Sequence, residues 1–294
     1  MSTIFEGVAT ALVTPMNADG SVNFKAFAEL CDYQINNGVA ALVACGTTGE
    51  SSTLTDEEHV AVIRECVKVT NGRVPVIAGT GSNDTRYAID LSKEAQELGA
   101  DALLVVTPYY NKASQNGLIT HYTTIADSVD VPIILYNVPS RTGTDIKPST
   151  YKALASHKNI VAAKEANGNI SSVAQTVALT EGKLDIYSGN DDQVIPRISL
   201  GGKGVISVFS NIAPKIMSDI TDKALKGDYA GAVALQNKYL EVMNNMFIDV
   251  NPIPVKEALN IMGFNMGECR LPLCNTTKEN VEKIRVSLEK VNLI

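Results

Sequence analysis

Eight short apolar runs rich in β-branched residues recur between residues 8 and 208, and longer amphipathic stretches separate them. The runs are Val8–Val13, Ala41–Cys45, Val74–Ala78, Ala102–Val106, Val131–Tyr136, Ile160–Lys164, Leu184–Ser188 and Gly204–Val208. Each is almost continuously hydrophobic rather than alternating, the pattern of a parallel strand covered on both faces. Between them, Asn23–Asn37, Asp56–Thr70, Asp84–Leu98 and Gly117–Ser128 read as helices. Thr55 before Asp56-Glu57-Glu58 reads as an N-cap with an acidic first turn, which suits the helix dipole. Gly38 and Gly99 stand where left-handed C-terminal caps belong. Pro75 and Pro132 fall at the first residue of a strand, where a missing donor is tolerated.

Strand–helix alternation implies right-handed crossovers and a parallel sheet, and eight units favour closure. The expected fold is therefore α/β, a (β/α)8 TIM barrel over residues 1–226 that carries the catalytic site. The alternative is an open, doubly wound sheet, which usually carries a glycine-rich dinucleotide fingerprint after its first strand. Here that strand ends in Val13-Thr14-Pro15, and Gly79-Thr80-Gly81 after the third lacks the last glycine. Residues 227–294 change character. Asp228–Asn244, Pro254–Met262 and Thr277–Val291 read as a three-helix C-terminal extension with no strand between them.

A net charge of −7 argues against a nucleic-acid partner, which needs a basic field to neutralise phosphates. The segment MSTIFEGVATALVTP has neither the basic nor the long apolar region of a signal peptide. No apolar run approaches the roughly 18 residues that span a bilayer. The expectation is a cytoplasmic enzyme without a membrane partner. Cys31, Cys45, Cys66, Cys269 and Cys274 lack metal-ligand spacing and read as reduced structural thiols. His59, His121 and His157 are scattered and sit away from strand ends, so no metal site is expected.

In such a barrel, catalytic groups lie at the C-terminal ends of the strands. Lys164 ends an apolar strand there, where desolvation disfavours the ammonium form and frees the amine as a nucleophile. The plainer reading pairs Lys164 with Glu165 at the rim. Thr47, Tyr110 and Tyr136 follow or end three different strands and together could relay protons to and from an imine without histidine. Individually they read equally well as turn and core-capping residues. Arg141 offers a donor fork that fits a carboxylate, or is a solvated loop residue.

Four strings lie in order at these ends: Gly46-Thr47-Thr48-Gly49-Glu50-Ser51, Tyr109-Tyr110-Asn111, Tyr136-Asn137-Val138-Pro139-x-Arg141-Thr142-Gly143 and Lys164-Glu165. Over essentially the whole chain they resemble the dihydrodipicolinate synthase family, within the N-acetylneuraminate lyase group of pyruvate-dependent class I aldolases. That family is a barrel with a helical extension, commonly a homotetramer built as a dimer of dimers. Its members condense pyruvate with L-aspartate 4-semialdehyde to 4-hydroxy-tetrahydrodipicolinate, on the way to diaminopimelate and lysine. The resemblance implies no metal or organic cofactor, because a lysine imine serves as the electron sink.

Carried over by position, Lys164 matches the Schiff-base lysine. Thr47, Tyr136 and Tyr110 match the relay hydroxyls, with Tyr110 reaching the neighbouring subunit's site. Thr48 matches the group that binds the pyruvate carboxylate, and Arg141 the holder of the semialdehyde carboxylate. Gly189 and Ile206 match backbone positions lining the pocket. Ser51, His59, Asn83 and Tyr109 match a lysine-binding allosteric site at the tight dimer interface. Tyr87 replaces the glutamate usual in lysine-sensitive members, and Asp56 also departs from common choices, so weak or absent lysine inhibition is expected. The nearest competitor is a lyase for N-acetylneuraminate or a 2-keto-3-deoxy sugar acid, against which Arg141 and the Thr47-Thr48 pair speak. An idle regulatory barrel would be expected to have lost the lysine or a hydroxyl. A phosphate-binding barrel would not place Asp191-Asp192 after strand seven, where they repel phosphate.

Overall fold

The computed structural model describes residues 3–294. Eight strands form in chain order: β1 (Gly7–Ala11), β2 (Ala41–Ala44), β3 (Val76–Gly79), β4 (Ala102–Val106), β5 (Ile133–Asn137), β6 (Ile160–Glu165), β7 (Asp185–Ser188) and β8 (Gly204–Ser207). Each pairs in parallel with the next, and β1 pairs with β8 from Gly7↔Gly204 to Thr10↔Ser207. The sheet is therefore a closed barrel, as the alternation predicts. Around it run α1 (Phe24–Asn36), α2 (Asp56–Thr70), α3 (Thr85–Glu97), α4 (Gln115–Ala126), α5 (Pro139–Thr142), α6 (Pro148–Leu154), α7 (Ile170–Thr180), α8 (Val194–Ser199) and α9 (Pro214–Leu225). Three more helices follow without a strand: α10 (Tyr229–Asn245), α11 (Ile253–Ile261) and α12 (Lys278–Lys290). Among the described residues, no helix is long and apolar enough to cross a membrane.

Strand side chains alternate between two cores, which explains the continuous apolar runs. Val8, Leu42, Leu103, Leu135 and Val205 pack outward under the helices. Ala9, Val43, Leu104, Ile134, Ala162 and Ile206 fill the barrel. Its floor is closed by Tyr187, which stacks on Phe5 with ring centroids 4.2 Å apart and donates its hydroxyl to the Phe5 carbonyl at 2.8 Å.

Boundaries move by a few residues where hydrogen bonding overrides hydrophobicity. β1 begins one residue before its apolar run and stops at Ala11. Pro75 and Pro132 lie just outside β3 and β5, not at their first residues. Both still serve the sheet as acceptors, from Leu42 N at 3.0 Å and Leu103 N at 2.9 Å. Helix α4 starts two residues before the predicted Gly117, because Ser114 caps it by accepting from the Gly117 amide at 3.2 Å. Thr55 and Glu58 form a reciprocal capping box on α2, an arrangement whose cap is worth about 1 kcal/mol. Gly38 and Gly99 have φ of +86° and +91°, as their capping role requires. Gly79 and Gly81 have a packing role. A β-carbon on Gly79 would lie 2.2 Å from the Cys45 carbonyl oxygen, and one on Gly81 2.3 Å from the Val106 amide.

Candidate active site

Residues 164 and 165 occupy adjacent positions of β6, so their side chains leave opposite faces of the sheet. Glu165 turns outward and is fully engaged. It accepts from Asn137 Nδ2 at 3.0 and 3.1 Å, from the Tyr151 hydroxyl at 2.8 Å and from the Asn167 amide at 3.0 Å. Burial pushes its carboxyl group above the usual range, against the pull of those bonds and of the Arg197 charge. The rim pairing of Lys164 with Glu165 is thus not formed.

Lys164 instead turns into the barrel mouth, 5% exposed. It is in register with Tyr136 on β5, and its Nζ lies 4.3 Å from the centre of the Tyr136 ring. The ring face holds the Nζ without a salt bridge among the described residues, while its charge acts on the buried carboxyl group of Asp191 across the mouth.

Two loops at the C-terminal ends of strands complete the mouth. Thr47 and Arg141 line one cavity of about 270 Å³, whose walls do not include Lys164 or Tyr136. Thr48 is buried beneath, and its Oγ1 accepts from Asn251 Nδ2 at 3.0 Å. Arg141, on α5, donates from Nη2 to the Asn251 carbonyl at 3.2 Å and is otherwise turned to solvent. Gly189 follows β7 with its amide on the Glu165 carbonyl at 2.7 Å, and a β-carbon there would press on Ala166 at 2.7 Å. Ile206 is wholly buried inside the barrel, opposite Ala9. Tyr110 is the exception: it stands 91% exposed at φ +70°. One copy of the chain does not enclose it with the other hydroxyls.

With this constellation in place, the likeness to known proteins is specific. The model of the Dihydrodipicolinate synthetase family matches residues 4–291. The chain belongs to that family. It is 56% identical over 292 residues to the 4-hydroxy-tetrahydrodipicolinate synthase of Lachnoclostridium phytofermentans, covering 99% of each chain. To the enzyme of the same name from Caldicellulosiruptor bescii it is 52% identical over 285 residues, covering 97% of this chain and 96% of that one. A crystal structure of the chloride-inhibited dihydrodipicolinate synthase of Acinetobacter baumannii, complexed with pyruvate, superposes with a TM-score of 0.97. That protein is 46% identical, over 99% of this chain and 100% of the other. Like its dihydrodipicolinate synthetase relatives, the chain is an enzyme of the pyruvate-dependent lyase and synthase class.

Beside the mouth, the same cavity continues past Ser51, His59 and Tyr109, three of the four residues matched to the family's lysine site. Asn83, the fourth, does not line it; its carbonyl accepts from Asn111 Nδ2 at 2.9 Å. From the sequence, His59 is expected away from strand ends. In the structure its Nε2 bonds the carbonyl of Gly79, the last residue of β3, at 2.8 Å, and burial depresses its basicity. Tyr87 also lines the cavity and donates its hydroxyl to Asp56 Oδ1 at 2.6 Å. Burial and that bond push the phenol up to about 12.

Two features of the mouth escaped the sequence reading. Asn251 meets both Thr48 and Arg141 from the loop before α11. Glu50, at φ +56°, forms a buried ion pair with Lys256 of α11 at 2.9 Å. The Lys256 ammonium also donates to the carbonyls of Thr14 and Glu268, and Glu50 accepts from the Arg270 amide at 2.9 Å. An Asn-Pro pair before the second helix of the extension was the only local signal at Asn251.

Proposed function

We propose that the chain condenses pyruvate with L-aspartate 4-semialdehyde through a Schiff base on Lys164, the 4-hydroxy-tetrahydrodipicolinate synthase reaction. The observation that carries the assignment of Lys164 is its burial against the Tyr136 ring with Glu165 turned away. The Lys164 amine adds to the pyruvate carbonyl, and the carbinolamine loses water to give an imine. Tyr136 helps remove a methyl proton, and the electron pair is stored as an enamine. The enamine carbon attacks the aldehyde, whose oxygen takes up a proton through the hydroxyl relay of Tyr136, Thr47 and a neighbouring copy's Tyr110. The substrate amine then adds to the imine carbon and expels Lys164, closing the ring. Thr48 holds the pyruvate carboxylate and Arg141 that of the semialdehyde, while Gly189 and Ile206 shape the pocket.

Arg141 favours this reading over a sugar-acid lyase. Its guanidinium faces solvent at the cavity with one protein acceptor and has donors left for a carboxylate, whereas a sugar chain presents hydroxyls. The working form is a homotetramer, a dimer of dimers, in keeping with an exposed Tyr110. Five unpaired cysteines are consistent with a reducing cytoplasm.

The test is turnover of both substrates through a coupled downstream reductase, with borohydride trapping of pyruvate on the protein. Wild-type protein should turn over and gain the reduced pyruvate mass on Lys164, and Lys164→Ala should do neither. Folded wild-type protein inert to this substrate pair would discard the reading.

A further inference from the structure

The Asn251 side chain is 5% exposed, and its amide nitrogen donates to Thr48 Oγ1 at 3.0 Å. The amide oxygen is buried with no partner. An unpartnered buried polar atom costs roughly 1–3 kcal/mol, and an apolar side chain of the same shape would avoid that cost. The residue therefore has a use beyond filling space.

The polarity of the bond supplies that use. A threonine hydroxyl has one proton and two lone pairs. When Asn251 donates to the oxygen, the Thr48 proton is left for another acceptor. A carboxylate needs donors, so the amide sets the hydroxyl in the sense that favours an anion. The Asn251 backbone carbonyl meanwhile takes one N–H of Arg141, and its hold is independent of the side chain. One residue of the C-terminal extension thus touches both groups assigned to substrate carboxylates, by separable bonds.

We infer that Asn251 is a positioning residue for the 2-keto acid: its amide N–H points the Thr48 hydroxyl proton toward the substrate carboxylate. This rests on the pyruvate reading of the site. The decisive variant is Asn251→Asp, nearly isosteric but acceptor-only when ionised. It would take the Thr48 proton and set a negative charge beside the carboxylate.

The readout is the pyruvate concentration at half-maximal borohydride trapping on Lys164, with thermal unfolding of each variant alongside. Asn251→Asp should raise that concentration by at least about tenfold, the effect of a lost bond to a charged group. Asn251→Ala should raise it too, while the KM for the semialdehyde stays within about twofold because the backbone carbonyl still holds Arg141. Asn251→Asp trapping like wild type while Asn251→Ala is impaired would show a packing role and overturn the inference. Parallel rises in both substrates' constants with Asn251→Ala would overturn it as well. Absence of trapping in wild-type protein would overturn the pyruvate reading, and the inference with it.

Discussion

Tyr87 decides what the cavity beside the mouth can hold. Its hydroxyl donates to Asp56, so the carboxylate nearest to it is already engaged. A lysine ammonium placed there meets a phenol where lysine-sensitive relatives are expected to present a glutamate. A charge-assisted hydrogen bond of that kind is worth roughly 1.5–3 kcal/mol, enough to move half-inhibition by about tenfold to a hundredfold. Activity should therefore change little at millimolar lysine. Tyr87→Glu should bring inhibition into that range, as read from initial rates across a lysine titration. Strong inhibition of the wild-type protein would show that Ser51, His59, Asn83 and Tyr109 suffice without the carboxylate.

At the scale of elements, the loop after β2 is held from the far end of the sequence. Lys256 on α11 grips Glu50, and Arg270 reaches Glu58 Oε2 at 2.6 Å and the Thr53 carbonyl at 2.7 Å. Removing one partner of a buried ion pair leaves the other charge uncompensated, at a cost of about 3–5 kcal/mol. Lys256→Ala should lose stability of that order in urea unfolding at fixed protein concentration. Combining Glu50→Gln with Lys256→Met should recover most of it. The sequence could not show this clamp. Lys256 reads as an ordinary polar position on a helix, and its partner is 206 residues away. Asn251 was hidden for the same reason, its contact with Thr48 spanning 203 residues. The strands were legible because burial on both faces leaves a local trace. Thr55, Gly38 and Gly99 were legible because caps satisfy near neighbours. Lys164 stood out as a charge at the end of an apolar strand, but the freedom of its amine depends on where Glu165 turns, which is set by Asn137 and Tyr151.

For the whole molecule, Tyr110 poses the question of assembly. A tyrosine 91% exposed on a constrained backbone is poorly used by one copy alone. If it serves a neighbouring copy, Lys164→Ala and Tyr110→Phe proteins should complement when dissociated together and reassembled. Random pairing would restore about a quarter of wild-type specific activity, since half of the intact-lysine sites then receive an intact tyrosine. No recovery in assemblies of confirmed mixed composition would place Tyr110 in its own site. The long-range clamp also bears on how the chain emerges during synthesis. The barrel can close once β8 exists, because β1 pairs directly with it. Thr48, proposed to hold the keto acid, and its neighbour Glu50 stay untied until Asn251, Lys256 and Arg270 have left the ribosome. At ordinary elongation speeds those partners follow the loop by roughly 10–40 s. A nascent chain stopped after β8 would thus be a closed barrel with an unfinished mouth, and competence for chemistry arrives only with the last fifth of the protein.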